Sequence, residues 1–405
     1  MSKSLSISAA RALRGVSLIR RLALAALLAL TAPLVGAAQI NAIVSPYSAA
    51  EFAAAVAQFQ RQHPGQRVSA RTPEQLGELD DAALAEWLDA GQVLFGAGLF
   101  GTEVERLRPL LAAAAPTELF ILHSEQGLVQ LSRSRGQPLF ASREQAERLG
   151  AAKPVDDLAQ WLAQQQRAHP QQADWLSARS YWLAGGSENM AALLGWLAAR
   201  VDATVTAEPA KARPPLRFYQ DGQIRAAEQL HWQGQALVAI VDHGRADRAG
   251  DRALNDALCQ ALGEAGLACV SLFANWGPGS LQAVGWLQEA EHPPLAAIVA
   301  LQDFVIGGGE HREQVSELFA RLDVPVLKGL RLEGRDEASW QLSSDGLARD
   351  KLHYQIAMPE LQGTSQAMVL AAWREQQLDP LSGIRFGIGE PLPQQVAAFS
   401  ARIQR

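Results

Sequence analysis

His243 stands two residues beyond an apolar run, Leu237 to Val241, with Asp242 before it and Gly244 after it. A carboxylate and an imidazole delivered together to a strand-end turn could exchange a proton near neutral pH, or offer oxygen and nitrogen donors to a divalent ion. A hydrogen-bonded turn would use the same residues. Two more apolar runs end in the same way. Asn275-Trp276-Gly277 follows Cys269 to Phe273, and Gln302-Asp303-Phe304 follows the run from Ala296, leading into Gly307-Gly308-Gly309-Glu310-His311. The triple glycine could turn amides toward an anion, but it lacks the Lys-Ser or Lys-Thr of a P-loop and reads as a flexible loop. Glu360 is fixed in a turn between Pro359 and Gly363. The candidate ligand-binding residues are therefore Glu360, His243 and Asp303, with no catalytic residue and no metal ligand assigned. His243, His311 and His353 are too widely separated to define a metal motif, and no His-Glu-x-x-His, Cys-x-x-Cys or Gly-x-Ser-x-Gly occurs.

The elements that must carry these residues alternate. From Ile40 to His123, strand-like runs (Ile40–Ser45, Val68–Arg71, Val93–Phe95, Leu119–His123) interleave with helical stretches (Ala49–Gln60, Asp81–Ala90, Glu103–Ala115). Residues 155 to 201 are helical throughout, broken at Gly185-Gly186, and their Trp161, Trp175, Trp182 and Trp196 read as core filling. Pro209, Pro214 and Pro215 mark a linker. Beyond it, Leu237–Val241, Cys269–Phe273, Ala296–Ala300 and Pro325–Leu327 are strands, separated by the helices Arg252–Ala265, Leu281–Glu289 and Glu313–Leu322. Strands that are apolar throughout imply a parallel sheet covered on both faces. The fold class expected is α/β: two Rossmann- or flavodoxin-like parallel-sheet domains with a helical segment between them. The divisions are 1–38, a signal peptide; 39–150, an N-terminal α/β domain; 151–207, the helical segment; 208–215, the linker; 216–335, a flavodoxin-like domain; and 336–405, the start of a further, truncated region.

The signal peptide rests on a basic stretch ending at Arg20-Arg21, an apolar run from Leu22 to Leu30, and small residues at Gly36-Ala37-Ala38. The run is short for a membrane span, so a cut near Gln39, an exported location and no stable span afterwards are expected. A misread N-terminus would leave the protein cytoplasmic. The first 38 residues hold five cations and no acid, so their loss takes the net charge from −6 to −11. That acidity excludes nonspecific nucleic-acid binding. Cys259 and Cys269 could pair in an oxidising compartment or stand as two buried thiols.

The stretch from about Leu237 to Arg405 resembles the large (CobN-type) subunit of aerobic cobaltochelatase and its relative, the porphyrin-binding H subunit of magnesium chelatase. The matching pieces, in order, are Leu254-Asn255-Asp256-Ala257-Leu258, Gly266 to Phe273, Phe304, Asp323-Val324-Pro325-Val326-Leu327, Trp340, Ser344-Asp345-Gly346-Leu347, and Ile356 to Gly363 with its Pro-Glu-Leu-x-Gly. The family has Asp where this chain has Gln362. The resemblance implies a corrin or porphyrin substrate, a divalent metal such as cobalt, a cobalamin-biosynthesis type of role, and ATP used only through AAA+ partner subunits. It also implies that most of the metal-insertion centre lies beyond this fragment. The alternative is an exported, non-enzymatic binding protein for a tetrapyrrole or metal, closing two lobes about the linker.

Overall fold

The computed structural model describes residues 38–152, 157–233, 236–245, 249–332, 334–344, 346–347, 349–374 and 377–404. The expected signal peptide, apart from Ala38, and Asp345 of the resemblance lie outside these residues.

The first lobe is built on a sheet whose four parallel strands, β1 (Gln39–Val44), β2 (Arg67–Arg71), β3 (Val93–Ala97) and β4 (Glu118–Leu122), lie in the order β2-β1-β3-β4. A small antiparallel pair, β5 (Arg133–Ser134) and β6 (Gln137–Pro138), extends the edge beyond β4. Every residue of β3 and β4 is buried, as uninterrupted apolar runs require when helices cover both faces. Helix α1 (Pro46–Gln62) buries Phe52, Val56 and Phe59 against this sheet. Helices α2 (Asp81–Asp89) and α3 (Glu103–Ala113) complete the alternation. The helical segment supplies α4 (Leu158–Ala168), α5 (Ala173–Ala184) and α6 (Ser187–Ala198), the last two separated at Gly185-Gly186, both of which have positive φ. Its tryptophans do fill the core: Trp175 is 1% exposed with its Nε1 donating to the Ile121 carbonyl, and Trp161, Trp182 and Trp196 pack on the same cluster.

The second lobe is an eight-stranded sheet. Its parallel strands are β9 (Leu237–His243), β10 (Ala268–Ala274), β11 (Leu295–Ala300), β12 (Val326–Arg331) and β13 (Thr364–Trp373). Antiparallel β7 (Leu216–Gln220) and β8 (Gln223–Arg225) flank β10, and β16 (Gly389–Pro391) flanks β13. The order across the sheet is β16-β13-β12-β11-β9-β10-β7-β8. Numbered by occurrence, the parallel strands run 2-1-3-4-5, the flavodoxin order. The sheet thus takes in strands beyond residue 335. Helices α7 (Ala249–Glu264) and α10 (Pro393–Ile403) cover one face, and α8 (Pro278–Glu289) and α9 (Gly308–Leu322) the other. The triple glycine is not a free loop. Gly307 and Gly308 are buried with positive φ (89° and 65°), and a Cβ on Gly307 would fall 2.8 Å from Val315 Cγ2, so backbone conformation and packing both call for glycine there. The two cysteines are paired: the Cys259–Cys269 disulfide fastens α7 to the start of β10.

The lobes are joined by more than the linker. The Asn189 side chain gives and takes hydrogen bonds with both the N–H and the C=O of Lys211 (2.8 and 2.9 Å), tying the linker to the first lobe. A hairpin of β14 (Gln377–Leu378) and β15 (Arg385–Phe386) leaves the second sheet and docks on the first lobe. Ile384 at its tip is fully buried in the first lobe's core, and Ala70 N–H donates to Ser382 O at 2.8 Å. Gln75 bonds both Gly383 O and Arg385 N–H (2.9 Å each), and Arg385 pairs with Glu78.

Candidate functional site

In a 2-1-3-4-5 sheet the strand order reverses between β9 and β11, and the loops leaving their carboxyl ends part around a crevice. Those loops carry His243 and Asp303. Their approach is close: His243 Nε2 lies 3.2 Å from Asp303 Oδ2 and accepts the Asp303 backbone N–H at 3.0 Å. While that amide is accepted, the neutral ring carries its proton on Nδ1. Protonating Nε2 turns the same atom from an acceptor of the amide into a donor to the carboxylate. Both side chains are about a third to two-fifths exposed, so the pair is open to exchange with solvent or ligand. Gln355 Nε2 donates to the other Asp303 oxygen at 3.3 Å.

Beneath this pair is a buried charge cluster. Asp242, at 0% exposure, forms a two-pronged ion pair with Arg331 (2.6 and 3.0 Å) and also accepts from Asn255 Nδ2 (2.8 Å) and the His243 N–H (2.7 Å). Burial pushes the Asp242 carboxyl up, but Arg331, His243 and Asn255 outweigh it and leave it below the usual carboxylate range. Asp303 is governed in the same way: burial raises it, while the His243 hydrogen bond and the charges of His243, Lys328 and Arg331 hold it well below the ordinary value. Lys328 is 1% exposed and donates to the Gln302 carbonyl. Burial, helped by Arg331, pushes its ammonium down to about 8 against the pull of Asp303 and Asp242. The Gln302 amide bonds the carbonyls of Asp242 and Ala274 (3.2 Å each) and accepts from Ser280 (3.0 Å), locking three strand ends together. An aromatic row of Trp276, Phe304 and Tyr354, with ring centres 5.6–5.7 Å apart, borders the site.

Glu360 is placed differently. It is exposed, on the short helix Met358–Leu361. Its neighbour Gln362 reaches the Asp303 loop instead, accepting the Ile306 N–H (2.8 Å) and donating to the Ile306 carbonyl (2.7 Å). The amide does both; an ionised carboxylate, such as the Asp that the resemblance places here, has no proton to give the carbonyl. The apolar pattern alone closes β12 at Leu327 and so leaves out Lys328 and Arg331, although two cations inside an otherwise apolar run are the available signal. Among the described residues, no group of three His, Cys, Asp or Glu side chains is disposed to hold a metal ion, and no helix is long and apolar enough to cross a membrane.

A cleft of about 710 Å³ opens between the lobes, at the carboxyl end of β1 on one side and of β12 and β13 on the other. None of the three candidate residues lines it; Arg331 does, linking it to the buried cluster. Tyr47, Trp373 and Phe386 give it aromatic walls, and Lys211, Arg213 and Arg252 give it cations. The Trp373 ring lies so close to Gly387 that a Cβ there would come within 2.3 Å of it. Arg245, from the loop after β9, crosses to Glu51 of α1 (3.2 Å) and lies over the Trp182 ring.

Residues 179–405 match the CobN/Magnesium Chelatase family. Over 211 residues the chain is 24% identical to the magnesium-chelatase H subunit of Rhodobacter capsulatus and 22% identical to that of Cereibacter sphaeroides. These alignments take in 49% of this chain but only 17% and 18% of those proteins. In fold, 90% of the chain superposes on 26% of the catalytic subunit of cobaltochelatase from Mycobacterium tuberculosis, with a TM-score of 0.52 and 17% identity. The chain thus spans about a quarter or less of the length of each of these proteins. The family match takes in the whole second sheet together with its strand-end charges, and on that match this chain belongs to the CobN/magnesium chelatase family.

Proposed function

We propose that this chain is a tetrapyrrole-binding portion of a chelatase-type large subunit and holds a corrin or porphyrin in the cleft between its lobes while a divalent metal is inserted or removed. The observation that carries this reading is the cleft itself: about 710 Å³, in the range of small-molecule sites, with flat aromatic walls for a planar ring and cations for its acidic substituents. The metal enters as substrate. His243 and Asp303 together supply one nitrogen and one oxygen donor at the crevice, suited to passing on a divalent ion, cobalt in a cobalamin-type pathway, or a proton released from a pyrrole nitrogen. Glu360 is a further exposed carboxylate for the same task. In a cytoplasmic protein, ATP would be used only through AAA+ partner subunits; an exported one would bind, load or strip the metal without ATP. An exported location is supported by the order of basic, apolar and small residues before Gln39 and by the Cys259–Cys269 disulfide, since such bonds persist in oxidising compartments.

The test is an absorbance titration of the chain with a corrinoid, a metal-free porphyrin and an iron porphyrin. A saturable band shift at micromolar or tighter affinity, lost in Trp373→Ala, is the expected result; no shift with any of the three overturns the reading. The two-lobed cleft with its crossing Arg245–Glu51 contact also favours a second reading, an exported binding protein with no chemistry of its own. Incubating the bound metal-free ring with cobalt, zinc or magnesium ions separates the two. Metallation faster than in buffer supports the chelatase reading, and binding without acceleration supports the carrier.

A further inference from the structure

Helix α7 begins at Ala249, and its fourth residue, Arg252, points to an unfilled electrostatic demand. The amino end of a helix carries partial positive charge, so a cation in the first turn is of the wrong sign there and is usually compensated. Arg252 is half-buried, lines the interlobe cleft, and has no hydrogen-bond or ion-pair partner among the described residues. The nearest acid on its own helix face, Asp256 at i+4, is engaged instead by the Tyr219 hydroxyl at 2.8 Å. Burial and that carboxylate push the Tyr219 hydroxyl up to about 12, so it stays a donor at neutral pH and keeps Asp256 occupied.

Other positive features lie on the same cleft. Helix α6 opens with Ser187, Glu188 and Asn189 on the cleft wall, and its cap residue is Gly186, which has no side chain with which to satisfy the first amides. The Arg213 guanidinium occupies the space a Gly186 side chain would take, with a Cβ there falling 2.5 Å from it. Lys211, on the same wall, is mostly exposed and holds Glu208 only at 3.5 Å. Of the acids that line the cleft, Glu51 faces Arg245, Asp379 accepts from the Ser382 N–H at 2.9 Å, and Glu188, in the first turn of α6, sets its charge against Arg213.

We infer that the α6–α7 side of the cleft is a carboxylate-binding edge, with Arg252 as its anchor and Lys211 as a second cation in the same lining, and that it selects ligands bearing several acidic side chains. This rests on the tetrapyrrole reading and deepens it. The aromatic walls at Tyr47, Trp373 and Phe386 take the plane of the ring, and Arg252 sets which edge points inward and how many carboxylates the ligand must carry.

The experiment compares coproporphyrin, with four carboxylates, and a tetrakis(N-methylpyridinium)porphyrin, with a similar ring and four positive charges, on wild-type protein, Arg252→Ala, Arg252→Lys and Arg252→Glu. Wild-type protein should bind the tetracarboxylate with an affinity that falls as salt rises, and the cationic ring weakly. Arg252→Ala should weaken coproporphyrin about tenfold or more, as loss of a charge-assisted hydrogen bond does, and flatten the salt dependence. Arg252→Lys should recover part of the loss, and Arg252→Glu should move the preference toward the cationic ring. Unchanged thermal melts show that the variants are folded. Coproporphyrin affinity within twofold of wild type in Arg252→Ala overturns the inference while leaving the tetrapyrrole reading standing; failure of wild-type protein to bind either ring overturns both.

Discussion

Replacing Asp242 with Asn removes one charge from the most enclosed ion pair of the second lobe while keeping its shape. Arg331 would remain charged at about 11% exposure, with the carboxylate that compensated it gone. Breaking a buried pair from one side costs about 3–5 kcal/mol, because the desolvation of the survivor is no longer offset. In a domain of this size each kcal/mol moves the melting temperature by roughly 2–4 °C, so a fall of about 6–20 °C is expected by circular dichroism at pH 7. The sign with pH follows from the depressed Asp242 carboxyl. Its contribution is fully present above the unfolded value of about 4 and is lost as pH falls through the lower folded value. The gap between wild type and variant should therefore hold constant from about pH 5 to pH 8 and narrow on acidification below about pH 4. The double variant Asp242→Asn/Arg331→Met, which removes both charges of the pair, should recover most of the loss. A single variant within about 1 kcal/mol of wild type, or a double variant as unstable as the sum of the singles, would refute the argument that this pair is buried and mutually dependent.

Lys328 gives a pH dependence of the same sign in an alkaline window. With its ammonium lowered from 10.5 to about 8, the unfolded chain holds the proton more tightly, so stability rises with pH between those values by up to about 3 kcal/mol. Wild type should gain that increment over Lys328→Met in guanidinium titrations at increasing pH, and parallel curves would count against a charged, buried lysine. Removing the Cys259–Cys269 link, as the double serine variant or by reduction, should cost about 2–4 kcal/mol in the same assay; an effect near zero would mean that α7 and β10 are held by packing alone. Gly387→Ala would put a methyl within 2.3 Å of the Trp373 ring. The indole must move, so porphyrin binding should weaken with little loss of stability, and undisturbed binding would argue against Trp373 as a wall of the site.

What the sequence discloses is what lies close along the chain. The runs at Leu237, Cys269 and Ala296 appear as strands because burial on both faces demands unbroken apolar residues, and the loops after them follow from the rule for open sheets. That rule picks out His243 and Asp303, although nothing in their spacing of 60 residues shows that their side chains meet. Glu360 stands out for its turn, yet the tertiary contact there is made by Gln362, whose role depends on an amide's two-sided hydrogen bonding rather than on charge. The cleft is invisible in the sequence for a different reason. Its walls come from α1, the start of α6, the linker, α7, β13 and the segment after it, and no local pattern records which of these face one another.

The docked hairpin also bears on the order of assembly during synthesis. Gln75 meets Gly383 across 308 residues, and Ile384 fills the core of a lobe whose sheet is finished by residue 138. A ribosome must therefore deliver the chain through Ile384 before the first lobe can close. Until then that lobe waits with an apolar socket open, the kind of exposed surface that holdase chaperones engage. Contacts of such sequence separation form late and slowly. A cut at the proline-rich linker, where the sequence invites one, would leave the N-terminal piece without its plug.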